Sequence, residues 1–493
     1  MNTCLMLFSP NHTIKTNQLF LHSSIPSIFP LFKTNVPSSR KHQAKSHNTR
    51  KFENFLDLKP EYQPEALDFD IPWHSRSDRS HFDVIVIGAG PAGIRLAEQV
   101  SLYGIKVCCV DPNPLSVWPN NYGVWLDEFE GVGLEDCLDK TWPMASVYID
   151  DNNTKYLDRC YGRASRRKLK EKLVKGCVFN GVRFYKSKVW EIKHQIESIV
   201  VCDDGVELKG SLVIDASGFG SNFIEYDGNK VRNYGFQSGF GVLAEVDSHP
   251  FDLDKVVLMD WRDSHLRDGN SISTFMHAMP FSSNLIFLEE TSLVSRPAMS
   301  HMEVKRRMVA RLRHLGINVK RVLEDEKALI PMGGPLPRIP QNVIAFGGNS
   351  GVVHPSTGYM LAKTMALAPI VAASINECLG SNRMIRGKDL YANIWNSMWP
   401  IESRVAREFY TFGMETLLKL DLNETRNFFD AFFELKPYYL KGYLSSSLSL
   451  NDIIWFSMSL FANASNPSRL AVVKKSPLPL AKMMSNICLE FIR

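Results

Sequence analysis

The sequence predicts an α/β chain: a Rossmann-type nucleotide-binding unit, then an antiparallel sheet, then a helical C-terminal region. Three observations predict it. An apolar, β-branched run, Val84-Ile85-Val86-Ile87, leads straight into Gly88-Ala89-Gly90-Pro91-Ala92-Gly93, after which Ile94, Leu96, Ala97 and Val100 recur at helical spacing. Between residues 235 and 295 four segments alternate with period two: Gly241–Val246, Val256–Met259, Ser273–Met279 and Leu285–Glu290. From residue 376 onward the pattern is helical and rich in aromatics.

The chain has 493 residues, 44% hydrophobic and 22% charged, which is enough apolar material for more than one core and too much for a disordered chain. Nine cysteines without a CxxC pair argue against a disulfide scaffold and against structural zinc, and no metal site is expected. Residues 1–52 carry seven basic residues and no acid, so the net +5 leaves −2 for the remainder. The basic balance therefore belongs to the leader and does not point to nucleic acid. Residues 1–50, acid-free and rich in Ser, Thr and Asn, have the composition of an organelle transit peptide, plastid rather than mitochondrial because arginines are few. No run reaches the length of a membrane span. The apolar segment Ile453–Ala462 reads either as a core helix or as a face lying on a membrane.

The expected boundaries are a linker at 51–80, the first part of the nucleotide domain at 81–220, a substrate domain at 221–330, a return to the nucleotide domain at 331–375, and helices at 376–493. In the first part, Val107-Cys108-Cys109-Val110 reads as a second buried strand, with both cysteines inside it. Tyr161–Gly181 reads as a basic amphipathic helix with Leu169 and Leu173 inward, and 182–214 as short strands ending in Asp215-Ala216-Ser217-Gly218. Met302–Leu315 reads as a basic helix, Val343–Gly347 as a further buried strand, and a helix is expected from about Tyr359.

A lone GxGxxG is a weak signal, but here a strand precedes it, a helix follows it, and Asp111 ends the second strand at close to the expected offset. Gly88 permits the tight turn, Gly90 the approach of a pyrophosphate, and Gly93 the packing of helix on strand. Ala89, Gly90, Pro91 and Ala92 open a helix whose N-terminus favours phosphate, and Asp111 would accept from ribose hydroxyls. FAD and NAD share this fingerprint. Asp215 and Gly218 at a strand end, and the glycine-rich Gly347-Gly348-Asn349-Ser350-Gly351-Val352-Val353-His354-Pro355-Ser356-Thr357-Gly358, favour FAD. The latter resembles the second FAD fingerprint of para-hydroxybenzoate hydroxylase-like flavoproteins, with Gly347, Gly348, Pro355 and Gly358 against the cofactor, although Asn349 replaces the acid of that pattern. His354 is either near the flavin or a satisfied structural histidine.

The strand Leu285–Leu288 ends in Glu289-Glu290-Thr291, and its alternation sends the two carboxyls to opposite faces. A carboxyl facing an apolar cavity keeps its proton and becomes a general acid; the other would meet solvent or a basic partner.

Phe287-Leu288-Glu289-Glu290-Thr291 resembles the FLEET motif of plant lycopene β-cyclases and capsanthin/capsorubin synthases. So do Trp118–Trp125, Met259-Asp260-Trp261-Arg262-Asp263, Pro331–Pro337 and His354–Met360, and the similarity runs from about Phe82 to the C-terminus. The chain resembles most the chromoplast-type branch, which also holds sequences named neoxanthin synthases. Cys160 stands where relatives carry Pro, and Asn349 where they carry Thr.

The resemblance implies acid-catalysed cyclisation of lycopene through γ-carotene to β-carotene, an isomerisation, with Glu289 as the acid and Glu290 in reserve. It implies reduced FAD beside the cation and NADPH to keep the flavin reduced. The alternative within the family is opening of a 5,6-epoxide and ring contraction, which turns antheraxanthin and violaxanthin into capsanthin and capsorubin. Outside it stand a flavin monooxygenase on the same fold and a non-enzymatic pigment-binding protein. The implied substrate needs a long apolar tunnel. Phe428, Phe429, Phe432 and Phe433, at helical spacing, line it or fill a core. Peripheral attachment to a plastid membrane (chromoplast or chloroplast), near other carotenoid enzymes, is expected.

Overall fold

The computed structural model describes residues 58–492 apart from 62–65, 196, 227–233, 263–271, 381–384 and 386. The expected transit peptide and Asp263 of the Met259–Asp263 motif lie outside the described residues. The chain runs β1 (His81–Ile87), α1 (Pro91–Ser101), β2 (Val107–Asp111), β3 (Gly123–Trp125), α2 (Leu126–Glu130), β4 (Leu138–Trp142), β5 (Met144–Asp150), β6 (Asn153–Leu157), β7 (Tyr161–Ala164), α3 (Arg166–Phe179) and β8 (Arg183–Lys186). It continues through β9 (Val189–His194), β10 (Ser198–Cys202), β11 (Glu207–Asp215), β12 (Tyr234–Val246), β13 (Lys255–Asp260), β14 (Thr274–Pro280), β15 (Leu285–Ser292), α4 (His301–His314), β16 (Val319–Gly333) and β17 (Ile344–Ala345). Helices close the chain: α5 (Leu361–Gly380), α6 (Gly387–Met398), α7 (Ile401–Leu417), α8 (Leu422–Phe433), α9 (Pro437–Leu444), α10 (Leu450–Asn463), α11 (Asn466–Lys475) and α12 (Pro477–Ile492).

The first sheet has the order β8-β2-β1-β11-β10-β9, with β17 alongside the end of β11. β8, β2, β1, β11 and β17 are parallel, as buried βαβ strands require. Alternate residues explain the unbroken apolar runs: Val84, Val86, Val107 and Cys109 pack under α1 and α3, while Ile85, Ile87, Cys108 and Val110 pack on the opposite face. Both cysteines are fully buried, and burial raises both thiol pKa values. The segment before β1 is packed rather than loose: Leu67, Ile71 and His74 are buried, and Trp73 bridges to Phe184.

The expected helix over Tyr161–Gly181 differs at its start. Tyr161–Ala164 form β7, and the helix begins only at Arg166, where the Ser165 side chain accepts from the Lys168 amide as an N-cap. Leu169 and Leu173 do face inward.

The second sheet, β16-β12-β15-β14-β13-β5-β6, is antiparallel except for the parallel pair β13–β5. Two of its strands, β5 and β6, come from within residues 81–220, so the strands do not divide between sheets at residue 220. A parallel pair joined across a hundred intervening residues has no tight turn to announce it. On one face of this sheet α4 buries Val304, Met308 and Leu312 against Val242, Ala244, Ile286 and Leu288. The other face meets the C-terminal helices through Phe275, Phe287, Met332, Phe429 and Phe432. Among the described residues no helix is long and apolar enough to cross a membrane.

Candidate active site

One cavity of about 1350 Å³ runs from the glycine turn after β1, along the second sheet, to the aromatic helices α8 and α9. At the first end Gly88 has φ +101°, and a Cβ there would lie 2.8 Å from the Ala216 carbonyl. A Cβ on Gly93 would fall 1.9 Å from the Gly88 carbonyl, so α1 can seat on the turn only with glycine at that position. Gly90, the N-cap of α1, has nothing within 4 Å of a would-be Cβ, which leaves its backbone open to the cavity. Asp111 braces this loop: Oδ2 accepts from the Ala89 amide at 2.8 Å and Oδ1 from the Asn113 amide at 2.7 Å.

Gly88, Ala89, Gly90, Pro91, Ala92 and Asp111 all line the cavity, as do Gly218, Gly348 and Gly358 from the other two turns. Four expected contacts lie off its wall. Gly93 is a packing glycine, and Gly347 (φ +81°) would put a Cβ 2.5 Å from the Ala92 methyl. Pro355 is likewise off the wall. Asp215 is fully buried and accepts from the Ser217 amide and hydroxyl and from the Ser221 hydroxyl, so its charge holds the turn together. Asn349 is also buried, and its Nδ2 donates to the Asp215 carbonyl at 3.0 Å. Lys170, which the amphipathic pattern hides, is 1% exposed and lines the cavity beside Asp111; burial lowers it to about 8, against the pull of Asp111. An open helix N-terminus, an open glycine face at 90, Gly348 on the cavity wall, and one buried ammonium fit a dinucleotide with its pyrophosphate at α1.

Along β15, Phe287, Glu289 and Thr291 face the cavity, while Ile286, Leu288 and Glu290 face α4. Glu290 does not reach the cavity. It is fully buried, and Arg311 of α4 donates to it through Nε at 2.7 Å and Nη2 at 3.0 Å. Glu289 accepts at 2.7 Å from the Thr291 hydroxyl, and burial raises its pKa.

Strand register places three more residues with it. His277 on β14 stands opposite Glu289, Glu289 stands opposite Gly241 on β12, and Gly241 stands opposite Glu326 on β16. His277, Glu289 and Glu326 all line the cavity. The glycines are required for this: a Cβ at 239 would fall 2.3 Å from Glu289 Oε1, and one at 241 would fall 2.8 Å from the Phe287 ring and 3.0 Å from Glu326 Cγ. Glu326 Oε2 accepts from the Asn121 amide at 2.5 Å and from Asn121 Nδ2 at 3.3 Å. Burial, and next the charge of Glu289, push Glu326 up to about 8. Burial lowers His277 to about 4; its Nδ1–H donates to the Leu258 carbonyl at 3.3 Å, leaving Nε2 as an acceptor. Neither Glu326 nor His277 stood out in the sequence, because cross-strand register alone brings them to Glu289.

At the far end Phe428, Phe429, Phe432 and Phe433 line the cavity and also pack as core. Tyr443 lines it as well and stacks on Phe456 of α10 at 4.7 Å. His354 is the structural alternative: Nδ1 accepts from the Ser356 and Thr357 amides at 3.1 and 3.2 Å, and Nε2–H donates to the Tyr443 carbonyl at 3.1 Å. Burial lowers it to about 3, and it is not on the cavity wall.

Among solved structures, the fold is similar to a geranylgeranyl bacteriochlorophyll reductase-like protein from Thermoplasma acidophilum (TM-score 0.59, 14% identity, 83% of this chain and 99% of that one). It is also similar to OxyS anhydrotetracycline hydroxylase from Streptomyces rimosus (TM-score 0.54, 13% identity, 74% and 76%). At these identities the likeness shows the fold: a Rossmann-type α/β domain with a second sheet and C-terminal helices. Curated relatives are far nearer in sequence. The chain is 62% identical to capsanthin/capsorubin synthase, chromoplastic, of Citrus sinensis over all of both chains. It is 62% identical to neoxanthin synthase, chloroplastic, of Solanum lycopersicum over 93% of this chain and 94% of that one. With lycopene beta cyclase, chloroplastic, of Arabidopsis thaliana it shares 53% over 88% of each. The family model described as lycopene cyclase protein matches residues 83–470, and the chain belongs to that family of enzymes.

Proposed function

We propose that this chain is a plastid carotenoid cyclase that closes β-ionone rings on lycopene by protonating its linear end group. The observation that carries the reading is Glu289: a carboxyl without a salt bridge among the described residues, its pKa raised by burial, on the wall of a cavity whose lining runs from the glycine turn after β1 to the aromatic helices α8 and α9. A carboxylic acid of this kind keeps a proton at neutral pH and can deliver it to an alkene carbon. Aromatic walls at Phe428 and Phe432 exclude water from the resulting tertiary cation. Reduced FAD, kept reduced by NADPH, would supply electron density beside that cation; Gly90, Gly348, Asp111 and Lys170 would hold the cofactor. Glu289 donates the proton, and loss of a ring proton completes an isomerisation.

A second reading is favoured by the 62% relatives, whose printed names are capsanthin/capsorubin synthase and neoxanthin synthase. In it the same acid opens a 5,6-epoxide, and ring contraction gives a cyclopentyl ketone. The chromoplastic and chloroplastic names of the relatives and the acid-free leader support a plastid address. The test is the full-length chain with FAD, NADPH and liposomes, given lycopene or violaxanthin in parallel and read by chromatography. β-Carotene from lycopene alone supports the first reading, capsorubin from violaxanthin the second; no conversion by a flavin-loaded chain contradicts both.

The carotenoid would enter from a membrane. On α10, Ile453 and Phe456 face inward while Ile454, Trp455, Met458 and Phe461 are exposed, Trp455 by 59%. Leu478, Met484 and Phe491 of α12 are exposed as well. Phe456 backs directly onto Tyr443 of the cavity wall, so this apolar face adjoins the end where a hydrocarbon would enter. Co-sedimentation with liposomes should fall several-fold for the double variant Trp455→Ser, Met458→Ser; unchanged binding would sink the membrane face.

A further inference from the structure

The cavity face of the second sheet holds a second acid that ring closure as described leaves without a task. Glu326 and Glu289 occupy one cross-strand row with Gly241 between them, about 10 Å apart at Cα for two strand spacings. Both side chains lean over β12: Glu289 Oε1 lies 2.3 Å from where a Cβ at 239 would stand, and Glu326 Cγ and Oε1 lie 3.0 and 3.1 Å from a Cβ at 241. The carboxyls therefore converge above two glycines, inside the cavity. Among the described residues neither makes a salt bridge. Arg163 and Arg166, which interact electrostatically with Glu326, are ion-paired with Glu324, and Arg163 also with Asp139. Tyr122 also feels the charge of Glu326. Tyr161 and the neutral His277 face Glu289.

We propose that Glu289 and Glu326 form a carboxyl pair that holds a single proton at neutral pH, with Glu326 receiving the proton the substrate gives up. The proposal rests on the acid-catalysed reading above. Two carboxylates this close in a dry site cannot both ionise freely, so one proton is retained by the pair. The donor sets decide where it rests. Two N–H groups of Asn121 stabilise the Glu326 anion, whereas Glu289 has only the Thr291 hydroxyl. In turnover the O–H bond of Glu289 breaks as a C–H bond forms on the end group, and the ring C–C bond forms from two alkenes. A ring C–H bond then breaks, its electron pair becomes the ring double bond, and its proton goes to Glu326. Transfer from Glu326 to Glu289 restores the resting pair, and nothing is consumed. While the cation exists it faces two carboxylates, which lowers its energy.

The test combines infrared difference titration with turnover, on the full-length chain with FAD. The wild type should show one carboxyl still protonated at pH 7, which titrates in a separate step above the ordinary carboxyl range. Glu326→Gln should shift the Glu289 titration downward, and Glu289→Gln should do the same for Glu326. Each midpoint staying in place would overturn the pair. Lycopene turnover should fall about 10²–10⁴-fold in Glu326→Gln with KM unchanged, and partly recover in Glu326→Asp. Turnover within twofold of wild type, with the same pH profile, would overturn the acceptor role. If Glu326→Gln does not fold, Glu326→Asp serves for both readouts, since shortening the side chain should weaken the coupling. If the wild type converts neither carotenoid, the acid-catalysed reading fails and takes the acceptor role with it, while the titration shifts still decide the pair.

Discussion

On the α4 face of the second sheet, Glu290 shares both oxygens with Arg311; on the cavity face, one residue away, Glu289 has a hydroxyl and, among the described residues, no ion-pair partner. The two carboxyls sit on the same strand, and both are removed from bulk water. What differs is the partner that the opposite face of the strand brings. A matched guanidinium turns one into a stitch between helix and sheet. The lack of one among the described residues leaves burial to raise the pKa of the other, with Glu326 across a glycine from it. Burial alone therefore does not assign a role to a glutamate at a strand end.

The largest effect that would break this contrast is on the α4 side. Arg311→Met should strand Glu290 as an unpaired buried charge and destabilise the chain by about 3–5 kcal/mol, read by denaturant unfolding. The double change Arg311→Met, Glu290→Leu should recover most of that loss. A single variant as stable as wild type would mean that Glu290 is not tied to α4.

On the cavity side, Gly239→Ala should leave the fold intact, because the nearest atom is the movable end of Glu289. It should nonetheless displace that carboxyl and cut turnover by about 10²-fold, the usual consequence of an ångström-scale misplacement. Wild-type turnover in a folded Gly239→Ala chain would show that the position of the acid does not matter.

A smaller effect concerns pH. A buried carboxyl with a raised pKa keeps its proton in the folded chain where the unfolded chain has already lost it. The proton that the Glu289–Glu326 pair retains therefore contributes stability fully below the ordinary carboxyl value of 4.5, and that contribution declines as pH rises through the pair's raised titration. Thermal melting of the wild type should fall across that window, and the Glu326→Gln profile should be flatter. Parallel profiles would contradict the raised value.

Much of this was legible in local sequence, and the reasons are physical. The β1–turn–α1–β2 unit could be read because strand, glycines, helix and Asp111 are contiguous and each obeys its own short-range rule. The split of Glu289 from Glu290 could be read because a strand has period two. Glu326 and His277 could not, since they join Glu289 only through the register of four strands. Nor could the membership of β5 in the second sheet, whose partner β13 lies more than a hundred residues on. Asp215 shows the opposite error: an acid at the right place in a motif, spent on holding its own turn. Lys170 was hidden because an amphipathic helix is expected to turn its lysines to solvent, and this one turns toward the cavity.

The central claim is that Glu289 delivers a proton to carbon. It is tested most directly by running a single turnover of lycopene on chain equilibrated in deuterated water, so that Glu289 carries deuterium, and weighing the product. The account predicts one deuterium per ring formed by the wild type, and no ring or deuterium from Glu289→Gln chain that still binds FAD. Rings formed without deuterium, or formed equally well by Glu289→Gln, would contradict it.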